Sequence, residues 1–76
     1  MSQASLLKRI TECQAMRESS GGQERTRYGY ELLGLQVAAG MQEPLGADVL
    51  ATMDRAMKLA YETGIRDGQI KLKVAT

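Results

Sequence analysis

A chain of 76 residues fits one domain, residues 1–76, and such a chain buries only roughly 60% of the surface it exposes when unfolded, so its core is near the minimum for independent folding. Ten Lys/Arg against nine Asp/Glu give a formal net charge of +1, which supplies no long-range field to draw in a phosphate backbone. With three Tyr, no Phe and no Trp, the apolar fraction of 43% consists mostly of Leu, Ile, Val, Met and Ala, a palette that suits packed helices better than a sandwich of strands.

Residues 2–20 read as an amphipathic helix. Leu6, Ile10 and Cys13 follow the i, i+4, i+7 spacing of one face, and Leu7 and Met16 widen it. Ser19-Ser20-Gly21-Gly22 then breaks the pattern, since glycine disfavours a helix interior by roughly 1 kcal/mol each.

Residues 23–41 are expected to form a second helix around the apolar cluster Leu32, Leu33, Leu35, Val37 and Ala38. Gly29 and Gly34 lie inside it and mark places where a neighbouring backbone comes close. Thr26, Tyr28, Tyr30 and Leu32 also alternate with polar residues and glycine, so a short strand over Thr26–Leu32 is the alternative. The run Glu31-Leu32-Leu33-Gly34-Leu35-Gln36 looks like the join of a helix-turn-helix, but Gly40 and Pro44 follow too soon for a recognition helix of two turns. Gly40 suits a helix C-cap, and Pro44 keeps Glu43 out of a helix.

Residues 47–63 give a third helix with Leu50, Met53, Met57, Ala60 and Tyr61 on one face, and Asp54 placed to pair with Lys58 one turn on. Gly64 stands where a left-handed cap would end it. Asp67-Gly68 is a turn signal, and residues 69–74 alternate polar and apolar with strand period. A lone strand cannot satisfy its own backbone groups, so this tail is expected to pair with the Tyr28 region or with another chain.

The chain has no histidine, hence neither the commonest general base nor the commonest metal ligand. A single cysteine excludes an internal disulfide and a structural zinc site built from Cys and His. No phosphate-binding glycine loop is present, and the serines have no base to activate them. No catalytic residue, no cofactor and no metal is therefore expected. Cys13 reads as a buried thiol, although Arg9 and Arg17 lie one turn away on either side.

The expected fold is mainly α, a small three-helix domain with a short C-terminal strand-like tail. The alternative is α+β, with Thr26–Leu32 pairing with that tail. The expected function is a non-enzymatic protein-interaction module, an adaptor, inhibitor or regulator. A homodimer would help complete its small core. Its partner would take the tail by strand addition, with Ile70, Leu72 and Val74 in alternate pockets and Lys71 and Lys73 toward solvent or acidic groups. The alternative is a DNA- or RNA-binding regulator using Arg17, Arg25 and Arg27 with Tyr28, although Glu18, Glu24 and Glu31 interleave with the arginines. With no leader-like segment and no apolar run near 18 residues, a cytoplasmic location and no membrane span are expected.

Overall fold

The structure is a computed structural model that describes residues 2–73 and, within them, the side chains of residues 4–71. Four helices occupy these residues in the order α1 (Ser2–Ser19), α2 (Gly22–Ala38), α3 (Ala47–Thr52) and α4 (Arg55–Lys73). The mainly α expectation holds, and among the described residues there is no strand.

The first helix ends at the Ser-Ser-Gly-Gly joint. Gly22 sits at φ +60°, a left-handed turn that a residue with a Cβ enters only at a cost. The alternating pattern over Thr26–Leu32 is overruled, and this stretch is helical throughout. A half-exposed strand would leave Leu35, Val37 and Ala38 without the continuous apolar stripe that the helix gives them. Gly40 closes α2 at φ +75°. Its N–H donates to the Val37 carbonyl, and the Met41 N–H donates to the Gln36 carbonyl, the paired bonds of a Schellman cap.

The expected helix over 47–63 is instead two helices. Met53 adopts an extended ψ of 146°, and the carboxylate of Asp54 accepts from the Ala56 N–H at 3.1 Å. Asp54 therefore acts as an N-cap that starts α4 afresh. At the other end, Gly64 does not stop the helix, and Asp67-Gly68 does not turn. Helix α4 runs through both to Lys73, so the strand-like tail is helical over residues 69–73, while Val74 lies outside the described residues.

Glycines that weaken an isolated helix are retained here because two backbones meet at them. A Cβ on Gly34 would lie 2.8 Å from the Ile65 nitrogen and 3.0 Å from the Gly64 Cα, and closer still to the Tyr61 carbonyl oxygen. A Cβ on Gly64 would lie 3.0 Å from the Glu31 carbonyl carbon and 3.1 Å from the Gly34 Cα. One turn further, Gly68 faces Ala38, whose methyl would be 2.5 Å from an added Cβ. The pairs Gly34–Gly64 and Ala38–Gly68 advance in the same direction along both chains, so α2 and α4 run parallel. Gly34 marks a close backbone approach as the sequence implied. Gly29 does not, since only the aliphatic stem of Arg17 lies near it, at 3.8 Å.

Helix α1 runs antiparallel to this pair. Of its predicted face, Leu7 and Met16, expected to widen it, are exposed, whereas Leu6 and Cys13 are fully buried and Ile10 is nearly so. They close a core with Leu32 and Leu35, with Tyr28 and Ala39 packed at its edge. Each such aliphatic side chain contributes about 1.5–3 kcal/mol on burial. Parallel neighbours require the chain to return along the bundle between them, and residues 39–54, with α3 inside them, make that crossover.

Candidate functional site

The residues singled out in the sequence do not gather into one site. Arg17, Arg25 and Arg27 are all exposed, Arg17 near the end of α1 and the other two near the start of α2. Arg25 and Arg27 are two positions apart on α2, and residues at i and i+2 of a helix point to different sides. The Arg27 guanidinium lies over the ring of Tyr28, 5.7 Å from its centroid. Tyr28 is itself half-buried against the core, so its ring is engaged within the chain.

Arg27 also lines a shallow cleft of about 360 Å³ where the N-terminal ends of α2 and α4 lie side by side. Glu24 and Asp54 line the same cleft, with Gln23, Ala56 and Met57. The carboxylates offset the positive ends of the two helices, so the cleft has mixed charge.

The tail residues stand differently from their expected roles. Ile70 is half exposed on α4, and Lys71, its neighbour, is half-buried. The side chains of Leu72 and Lys73, and all of Val74, lie outside the described residues. The backbone N–H groups of residues 69–73 donate within the helix, so this segment presents no strand edge to a partner.

Among the described residues, two ion pairs meet in an arrangement that sequence spacing did not reveal. Arg9 on α1 donates from Nη2 to Glu31 of α2 and from Nε to Asp67 of α4, each at 2.6 Å. One guanidinium thus ties all three long helices together. Its side chain is 26% exposed, and those of Glu31 and Asp67 are 14% and 26% exposed. Burial lowers the pKa of Arg9, but the hydrogen bond to Asp67 and the charges of Glu31 and Asp67 outweigh it, so the net shift is upward. Arg9 stays protonated, and the arrangement is an ion-paired brace whose donors and acceptors are already matched.

Cys13 is the one nucleophile of note. Its thiol donates to the Tyr28 carbonyl at 3.4 Å and is fully buried. Burial pushes its pKa up, and the charge of Glu31 adds to that, while Arg9 and Arg17 offset it only in part. The bland expectation for this residue is the right one: the thiol is held neutral. Ellman's reagent should therefore leave the native chain essentially unlabelled and react fully once urea unfolds it. Rapid native labelling would mean that α1 detaches from α2. Because the unfolded thiol ionises first as pH rises, the contribution of Cys13 is intact at neutral pH and is lost on the alkaline side.

Among the described residues there is no group of three or more Cys, Asp or Glu placed to hold a metal ion, and no helix long and apolar enough to cross a membrane. No family model matches the chain, and no curated protein or solved structure matches it.

What remains open to a partner is apolar surface. Leu59 is 62% exposed and Ile70 is 50% exposed, and both lie on α4. They are about three helical turns apart, which returns them to nearly the same side of the helix. That side is turned away from Ala60, Tyr61, Gly64 and Gly68, which face the bundle. Thr63 and Arg66, both exposed, lie between them. Met41 and Val49 add further exposed apolar area on the crossover, at 60% and 48%.

Proposed function

We propose that this chain is a non-enzymatic protein-interaction module that docks through an outer helix face. The observation that carries the proposal is the pairing of Leu59 and Ile70 on the solvent side of α4. Large aliphatic groups half or more exposed at helical spacing fit the helix-face mode of recognition, where side chains about a turn or several turns apart anchor in an apolar partner. Of the tail residues, Ile70 retains a binding role in this proposal, now as part of a helix.

The first occupant to test is a second copy of the chain, since a small core near the limit for independent folding gains stability by self-association. A cytoplasmic location belongs to the proposal and rests on the lone cysteine being a free thiol. The nucleic-acid alternative has less support, because Arg25 and Arg27 point to different sides of α2 and Tyr28 is packed against the core.

Light scattering across a concentration series tests the proposal on the wild-type chain and on the Leu59→Lys, Ile70→Lys double variant. A dimer whose dissociation constant rises at least about tenfold in the variant, with helical content unchanged, supports docking through this face. Equal association in both proteins removes α4 as the interface. A wild-type chain that stays monomeric at every concentration rules out the second copy as occupant.

A further inference from the structure

We propose that residues 40–53 form a strap that opens separately from the helical body, and that the hydroxyl of Tyr61 is its latch. The strap begins at Gly40, whose left-handed φ gives the chain a sharp departure from α2, and it ends at the extended Met53 just before the Asp54 cap. Helix α3 within it has no buried residue, and Val49 points largely into solvent. Besides the bonds inside α3 itself, its backbone bonds are local, Leu50 N–H to the Gly46 carbonyl at 3.0 Å and Met53 N–H to the Leu50 carbonyl at 3.4 Å. A segment with little buried surface and short-range bonds sits at the low end of local stability.

Among the described residues one long-range polar contact holds this segment to the body. The Leu45 N–H donates to the Tyr61 hydroxyl at 3.0 Å. Tyr61 is only 3% exposed and belongs to the part of α4 packed against Gly34, so its ring is fixed by the most tightly packed seam of the protein. The latch is therefore rigid on one side and attached to a weakly held segment on the other. Opening releases the half-buried Leu45, Leu50 and Met53 together, next to the already exposed Met41 and Val49. The strap is thus a built-in conformational device: closed, it holds parts of Leu45, Leu50 and Met53 against the body, and open, it presents them with Met41 and Val49 as one flexible segment. The closed fraction would scale down the affinity of anything that binds the open form.

Amide hydrogen exchange on the full chain, wild type against Tyr61→Phe, tests this directly. The substitution keeps the ring and removes only the acceptor. The expected result is exchange about five- to tenfold faster at Leu45 and through residues 46–53, with amides of α1, α2 and the middle of α4 unchanged. Unchanged protection in the strap would show that the hydroxyl is not a latch. Equal loss of protection across strap and helices would show that the strap is no separate unit. Should the variant fold poorly, exchange of the wild-type chain in low urea decides the first half of the proposal alone. Strap amides must then exchange with a smaller free energy and a weaker urea dependence than those of α2, and coincidence of the two sets overturns it.

Discussion

Gly64→Ala and Gly34→Ala are each expected to destabilise the protein by about 3 kcal/mol or more, against a total stability of roughly 4–11 kcal/mol for a chain of this size. The direction is opposite to what the local rule gives. In an isolated helix, replacing an interior glycine by alanine stabilises by about 1 kcal/mol. Here each new methyl meets main chain: the Glu31 carbonyl for Gly64, and the Tyr61 carbonyl with the Ile65 nitrogen for Gly34. Main chain cannot step aside as a flexible side chain can, so α2 and α4 must separate along their length. Separation would loosen the packing around Ala38 and Gly68 as well. Gly68→Ala should lose less, about 1–2 kcal/mol, because its new methyl meets the side chains of Ala38 and Leu6. Gly46→Ala is the control, since nothing lies within 4 Å of the added Cβ and its φ is −68°. It should be neutral or slightly stabilising. Urea unfolding followed by circular dichroism ranks the four variants. A Gly34→Ala protein with the wild-type midpoint would contradict the close parallel packing of α2 on α4.

The same glycines explain which parts of the fold were legible in the sequence. The face of α1 was readable because Leu6, Ile10 and Cys13 repeat with the helical period and nothing competes with that signal. Gly40 was readable as a cap because Pro44 follows it. Gly64 and Gly68 were not readable, since a glycine at a helix stop and a glycine at a helix crossing look alike until the second helix is in place. Gly64 carries a helix interior only because Gly34 lies across from it. The alternation of Ile70, Leu72 and Val74 suggested a strand for a related reason: six residues of period two cannot outweigh a helix already propagating from Arg55. Asp54 carried a usable signal, as aspartate is among the preferred N-caps, but the apolar face continuing from Leu50 to Tyr61 hid it. For the site, Ile70 was singled out with the wrong backbone around it, while Leu59 was missed because a single exposed leucine has no local signature. Arg9 was beyond sequence reasoning altogether. Its partners come from two other helices, Asp67 at a separation of 58 residues, and only the assembled register brings them to it.

Arg9 also gives the second large expected effect. Arg9→Met should cost about 2 kcal/mol, between the small value of a surface pair and the larger one of a fully buried pair. Part of the loss is the two hydrogen bonds. The rest is that Glu31 and Asp67, drawn toward one guanidinium, would be left as two half-buried carboxylates with no cation between them. Glu31→Gln and Asp67→Asn should each cost less, about 1 kcal/mol, since the arginine keeps its other partner and the new amide oxygen still accepts. The triple variant Arg9→Met, Glu31→Gln, Asp67→Asn separates the two contributions. Removing all three charges together also removes the stranded carboxylates, so it should recover most of the loss and leave a neutral, better-packed junction. Sodium chloride at high concentration should narrow the Arg9→Met deficit only slightly, because half-buried pairs are poorly screened. Urea midpoints for the wild type and the four variants at two salt concentrations decide the matter. If Arg9→Met unfolds at the wild-type midpoint, the brace contributes nothing to stability. If the triple variant falls as far as the sum of the single ones, the three residues act independently, and the joining of α1, α2 and α4 must be attributed to the apolar core alone.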